Sequence, residues 1–229
     1  MVLGSAAVSH SLLESAIVFH IGPVPIAGTV VTTWVLMAAL AIAALLATRR
    51  LRVVPGGVQA AMETLVGEIE GEIRGIVNRE PSELLPLLGT LFIFLVVANL
   101  SGLVPGMHAP TASIETPAAL AAIVFFSVHV FGIRRHGLGG YLKGYLKPNP
   151  LLLPLNILSE FTRTFSLMMR LFGNIMSDGL VIAIVLALAG LLVPIPFMAF
   201  EILIGLVQAY IFTVLAAVYI GGAVGSAGK

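Results

Sequence analysis

Five long apolar runs dominate the pattern of the chain, at about residues 26 to 48 (IAGTVVTTWVLMAALAIAALLAT), 84 to 104 (LLPLLGTLFIFLVVANLSGLV), 117 to 133 (PAALAAIVFFSVHVFGI), 155 to 193 and 197 to 224. A helix that crosses a bilayer needs about 20 mostly apolar residues, so each run predicts a span. The fourth is too long to cross a hydrocarbon core of about 30 Å upright. It predicts a helix that tilts strongly or enters along the interface, and the fifth is long enough to tilt with it. Residues 57 to 79 follow another rule. Met62, Leu65, Val66, Ile69, Ile73, Ile76 and Val77 recur at helical spacing while Glu63, Glu68, Glu70, Glu72 and Arg74 fill the other side, which predicts an amphipathic helix lying on the membrane.

The fold class expected is therefore an all-α integral membrane protein: five transmembrane helices plus one amphipathic surface helix, in a single membrane domain over residues 1–229. Composition agrees, with 59% apolar and only 10% charged residues, where a soluble domain carries roughly a quarter charged. A net charge of +1 gives no bulk basic surface, so nucleic acid is not expected as a partner. The absence of cysteine excludes disulfides, thiolate catalysis and Cys-based metal sites. The first twenty-two residues have no Lys or Arg and no long apolar core, so the first span is expected to direct insertion itself.

Orientation follows from the positive charges. Arg49, Arg50 and Arg52 follow the first span, Arg74 and Arg79 lie on or beside the amphipathic helix, and Arg134, Arg135, Lys143 and Lys147 follow the third span. The positive-inside rule makes these regions cytoplasmic. The loops at 105–116 and 193–196 contain no Lys or Arg and fall on the opposite side by alternation. An N-terminal segment of residues 1–25 is then outside and Lys229 inside. No internal repeat of the kind that inverted-repeat transporters carry is visible. The stretch GLGGYLKGYLKPNP reads as an irregular connection.

Inside the last two spans stand Glu160, Arg163, Arg170, Asp178 and Glu201. Glu160 and Arg163, three residues apart, are expected to pair at the interface. Arg170 has no acidic neighbour one turn away: the residues at i−4, i−3, i+3 and i+4 are Ser166, Leu167, Gly173 and Asn174. Guanidinium keeps its proton, and placing it near the centre of a membrane helix costs roughly 2.5 to 3.5 kcal/mol. It therefore faces water, a carboxylate elsewhere in this chain such as Glu201, or a carboxylate of another protein. Ser166, Arg170, Asn174 and Asp178 step by four into a polar stripe, and Glu201 and Gln208 are seven apart on the last span with Gly205 between them. Such stripes line ion or proton paths, and a desolvated carboxylate can load and unload a proton. Gly173, Gly179, Gly205, Gly221 and Gly222 admit close approach, either of another helix or within the chain.

Weaker candidates are Asn99 and Ser101, which cap the second span or line a path, and His129, a proton shuttle or a hydrogen-bonded core histidine. His10, His20, His108 and His136 lack metal-ligand spacing, and no Ser-His-Asp order, P-loop, HExxH or dinucleotide fingerprint is present. No catalytic, cofactor or metal site is expected on this chain.

The run SLMMRLFGNIMSDG, followed by EILIGLVQAYIFTVLAAVYIGGAV, resembles the a subunit of F-type ATP synthases, whose hallmarks match Arg170 to Asn174 and Gln208 to Phe212. NLSGLVPGMHAPTAS (99 to 113) is also similar to that family, and the resemblance spans roughly residues 80 to 224. It implies a non-catalytic stator subunit of the bacterial inner membrane, pressed against a ring of c subunits, held by b-type peripheral stalk subunits, and offering two offset half-channels from the hairpin at 150–224. Arg170 matches the family's essential arginine, and Asn174 and Gln208 match channel-lining positions; Glu201 falls where relatives carry His or an acid. Many relatives have Glu nine residues after the arginine; here that place is Gly179 and the acid is Asp178. One residue rotates a side chain by about 100°, which leaves open whether Asp178 reaches the outer half-channel. The Glu160 and Arg163 region is similar to a divergent branch in which sodium transport has been proposed. The alternatives are thus a sodium-translocating version, a stand-alone proton- or cation-coupled secondary transporter, and a non-transporting assembly factor.

Overall fold

A computed structural model describes residues 17–21, 24–49, 53, 56–77, 83–104, 109–146, 153–190 and 193–225. Six α-helices account for most of them: α1 (Gly28–Thr48), α2 (Gly57–Val77), α3 (Leu85–Leu100), α4 (Glu115–Leu146), α5 (Leu153–Ala189) and α6 (Pro194–Gly225). All but α2 are long and apolar enough to cross a membrane. The all-α membrane architecture expected from the hydropathy pattern is therefore present. The chain also forms a two-stranded antiparallel hairpin before α1, β1 (Ile17–Ile21) against β2 (Val24–Ala27), with Phe19 opposite Ile26 and Ile21 opposite Val24. Its β-branched and aromatic residues favour extended backbone locally. The rest of the expected outer segment, residues 1–16 and 22–23, lies outside the described residues, as do Arg50, Arg52, Arg79, Lys147 and Lys229.

Helix ends follow from proline and glycine. Pro86 stands in the first turn of α3, where its missing N–H costs no hydrogen bond. Gly190, at φ 77°, leaves α5 in the left-handed conformation that glycine adopts without strain, and Pro194 opens α6 four residues later. Gly137 (φ 68°, ψ 161°) breaks α4 in mid-course. The chain resumes helix beyond it through Leu146, so of the stretch expected to be irregular (137–150) residues 138–146 are helical, Gly137 is not, and 147–150 lie outside the described residues. Tyr141 covers the Cα of Gly132 on the near side of the break, and just before it the His136 Nε2–H donates to the Val224 carbonyl at 3.0 Å.

The core is a helical bundle centred on α6, which packs against α2, α3, α4 and α5. Ala209, Phe212, Ala216, Ala217 and Ile220 of α6 are buried against Leu88, Leu91 and Leu95 of α3, Ala121, Val124 and Val128 of α4, and Leu167, Leu171 and Ile175 of α5. The small residues let backbones approach closely, which is how helices associate where lipid supplies no hydrophobic drive. In α2 the apolar face is divided. Ile69 and Ile73 are buried with Ile76 and Val77 beside them, whereas Met62, Leu65 and Val66 remain exposed. Protein thus covers one half of a face that hydropathy alone assigns to lipid. At 37 residues, α5 is about 55 Å long at 1.5 Å per residue, and fits a core of about 30 Å only when strongly tilted.

Candidate functional site

Two helices build the site, and their spacing decides what each side chain meets. On α5 the buried seam of Leu167, Leu171 and Ile175 repeats at one turn, so the residues immediately before each, Ser166, Arg170 and Asn174, form a parallel row about 100° away. Ser166, Arg170 and Asn174 are exposed, and Asp178 continues the row half-buried. The Arg170 guanidinium has no carboxylate within 4 Å among the described residues, so the internal partner considered for it, Glu201, is not paired with it. Gly173, next to this row, and Gly179 have open space where a Cβ would stand.

Across the helix boundary, the Asn174 Nδ2–H donates to Gln208 Oε1 at 2.7 Å. This bond joins the two polar stripes that the spacing predicts on α5 and α6. Gln208 is buried, and its Nε2 has no hydrogen-bond partner among the described residues; Asp178 Oδ2 is likewise enclosed without one among them. Asp178 and Glu201, on facing helices, lie within electrostatic reach of each other. The one-residue offset of the acid therefore still brings it toward the stripe of α6.

Asn99 is bound at both ends of its amide. Its Nδ2–H donates to the Gly205 carbonyl at 2.9 Å, and its Oδ1 accepts from Thr111 Oγ1 at 2.9 Å. A Cβ at Gly205 would stand 3.2 Å from that of Asn99, so this glycine serves packing within the chain. Gly221 similarly meets Val77 of α2. Ser101 Oγ donates to the Ala98 carbonyl at 2.7 Å, at the end of α3.

Towards the ends of α4, α5 and α6 that meet, the expected pair does not form. Glu160 Oε1 lies 3.8 Å from Nε2 of His129 on α4, and Arg163 instead places its guanidinium 5.6 Å from the centre of the Tyr219 ring on α6. Partners from neighbouring helices take both side chains, and local spacing along α5 cannot reveal them. Glu160 and Arg163 line a cavity of about 520 Å³ with Asn156, Ser159, Tyr219 and Gly222, and Arg163, Ser159 and Tyr219 also line a smaller one of about 370 Å³ that reaches Ser166. Tyr219, Thr111 and the Tyr210 hydroxyl, which donates to Glu72 Oε2 at 3.0 Å, carry no signal in the sequence, because each meets its partner on another element, and Tyr141 carries none because it meets Gly132 and His129 only by folding back past the break at Gly137. Among the described residues no cluster of His, Asp or Glu could hold a metal ion.

The ATP synthase A chain family matches residues 30–221. The chain is 63% identical over 219 residues to ATP synthase subunit a 2 of Bradyrhizobium sp. strain BTAi1, covering 96% of this chain and 98% of that one. It is 52% identical to ATP synthase subunit a 1 of Hahella chejuensis, over 89% and 87% of the two chains, and 41% identical to ATP synthase subunit a of Moorella thermoacetica, over 89% and 93%. With five helices able to span a bilayer and a match over most of its length, this multi-pass membrane protein belongs to the ATP synthase A chain family.

Proposed function

We propose that this chain is the proton-translocating stator subunit of a rotary F-type ATP synthase, without a nucleotide site of its own, and that Arg170 forces ion release from a passing ring of c subunits. The observation that supports this most directly is an exposed guanidinium on an apolar helix with no carboxylate beside it among the described residues. In lipid that arrangement is tolerable when another protein supplies the anion. A ring carboxylate arriving opposite Arg170 is stabilised in its ionised form and gives up its proton. When the ring moves on, the pair separates, and the fixed cation blocks a direct leak between the two sides.

The bond from Asn174 to Gln208 keeps α5 and α6 in register beside Arg170. Asp178 and Glu201 belong to the outer half-channel, and the cavities around Glu160, Arg163 and Ser166 to the cytoplasmic one. In this reading the N-terminus is outside, the C-terminus is in the cytoplasm, the membrane is the bacterial inner membrane, and b-type subunits hold the chain still against the ring.

The test is ATP-driven ion pumping in inverted vesicles carrying the assembled complex. Arg170→Ala is expected to abolish coupled pumping, and retained coupled pumping would reject the reading. Pumping that requires added sodium would reassign the ion while leaving the role of Arg170 intact.

A further inference from the structure

His129 has a tautomer that can be read from its contacts. Nδ1 lies 2.8 Å from the Phe125 carbonyl, which can only accept, so Nδ1 carries the hydrogen. The neutral ring therefore presents a lone pair at Nε2, and Nε2 is the atom that faces Glu160 Oε1 at 3.8 Å. The ring is held by Phe125 at 4.4 Å and Tyr141 at 5.9 Å between centroids. Glu160 in turn lines the 520 Å³ cavity. From Glu160, Ser159, Arg163 and Tyr219 lead to the second cavity and to Ser166, one turn from Arg170.

We propose that His129 and Glu160 act as one proton-exchange pair on the wall of this cavity, collecting protons from cytoplasmic water for the path to Arg170. The inference rests on the stator reading above and adds to it a base on α4, outside the α5–α6 hairpin. In the exchange, a proton from cavity water adds to the Glu160 carboxylate. Once a rotamer movement closes the 3.8 Å gap to hydrogen-bonding distance, the carboxylic acid passes it to Nε2, leaving carboxylate and imidazolium, and the reverse transfer returns it to Glu160 and then to water on the Arg170 side. Nδ1–H stays on the Phe125 carbonyl throughout. With two acceptor atoms side by side on the cavity wall, a proton taken from cavity water has a second site to move to. Among the described residues, the other titratable or charged groups facing it are Tyr141 and His136 on α4, Arg163 on α5 and Tyr219 on α6. His136 is engaged at Val224, and Arg163 lines the same cavity with its fixed positive charge.

The test is ATP-driven acidification of inverted vesicles holding the whole complex, read as a function of the pH of the medium, which contacts the cytoplasmic face. His129→Asn keeps an N–H for the Phe125 carbonyl and removes the Nε2 base; Glu160→Gln removes the carboxylate, and Glu160→Asp keeps it. Asn and Gln variants are expected to pump normally at acid pH and to lose pumping at alkaline pH, their alkaline limb moving down by about one unit, the shift that tenfold slower proton capture produces. The double variant is expected to shift no further than either single variant, because the two groups act as a unit, and Glu160→Asp to restore most of the loss. Pumping lowered by one factor at every pH, additive shifts in the double variant, or unaltered pumping that depends on sodium and ignores pH would each overturn the proposal. Arg170→Ala in the same vesicles separates the two ideas. Loss of pumping there with an unshifted His129→Asn profile removes only the pair, and retained pumping removes the stator reading itself.

Discussion

Arg170 shows how far one side chain can be read from its neighbours in sequence. Ser166, Leu167, Gly173 and Asn174 offer no counter-charge, and the folded chain adds none among the described residues. The lack of a local counter-charge was therefore legible before any fold, whereas the separation from Glu201 needed the folded chain. Arg170→Lys keeps the charge but loses the planar fork that holds a carboxylate at two points, so coupled pumping is expected to fall at least tenfold, measured as proton uptake per ATP hydrolysed. For Asp178 the expected outcome is milder. Asp178→Asn removes a carboxylate within electrostatic reach of Glu201 and, on the proposed role in the outer half-channel, should slow proton uptake from the outer side without uncoupling, seen as a lower rate of ATP synthesis at fixed driving force; an unchanged rate would assign Asp178 to packing. Arg163 was not legible in the same way. Its partner Tyr219 lies on another helix, and i,i+3 spacing pointed instead to Glu160.

The helices were the most legible part, because a run of about 20 apolar residues has few alternatives in lipid. Where the reading fell short, tertiary contact overrode local composition. The glycine-rich stretch after Gly137 is helical through Leu146, with Tyr141 folded back over Gly132 and His136, just before the break, tied to α6, and α2 hides Ile69 and Ile73 under neighbouring helices. Asn99, ambiguous in sequence between a cap and a channel lining, ties α3 and the turn at Thr111 to α6 three residues before Gln208. Asn99→Leu keeps the volume and removes both hydrogen bonds. Interhelical bonds in membranes are worth about 0.6 kcal/mol on average and up to about 1.7, so loss of the subunit from the complex on heating is expected several degrees earlier, while surviving complex keeps its ratio of protons to ATP. Gly205→Val should do the same more severely, since a Cβ there already stands 3.2 Å from Asn99.

For the molecule as a whole, orientation rests on charge bias between loops and needs a direct check. The chain contains no cysteine, so one introduced thiol reports alone. Ile114→Cys, between α3 and α4, should react with an impermeant maleimide in intact cells, and Gly139→Cys, beyond the break in α4, only in inverted vesicles; the reverse pattern would overturn the orientation. The interlocked seam of α5 has a mechanical consequence. The row of Ser166, Arg170 and Asn174 turns outward, and the adjacent row of Leu167, Leu171 and Ile175 is buried where α5 packs against α4, α6 and the turn at Pro110–Ala112. Any sideways drag on the outer row is handed within one residue to the buried core of the bundle. On the stator role proposed above, the bundle would serve as an abutment, with torque from a turning partner resisted by close-packed hydrocarbon instead of by a yielding loop.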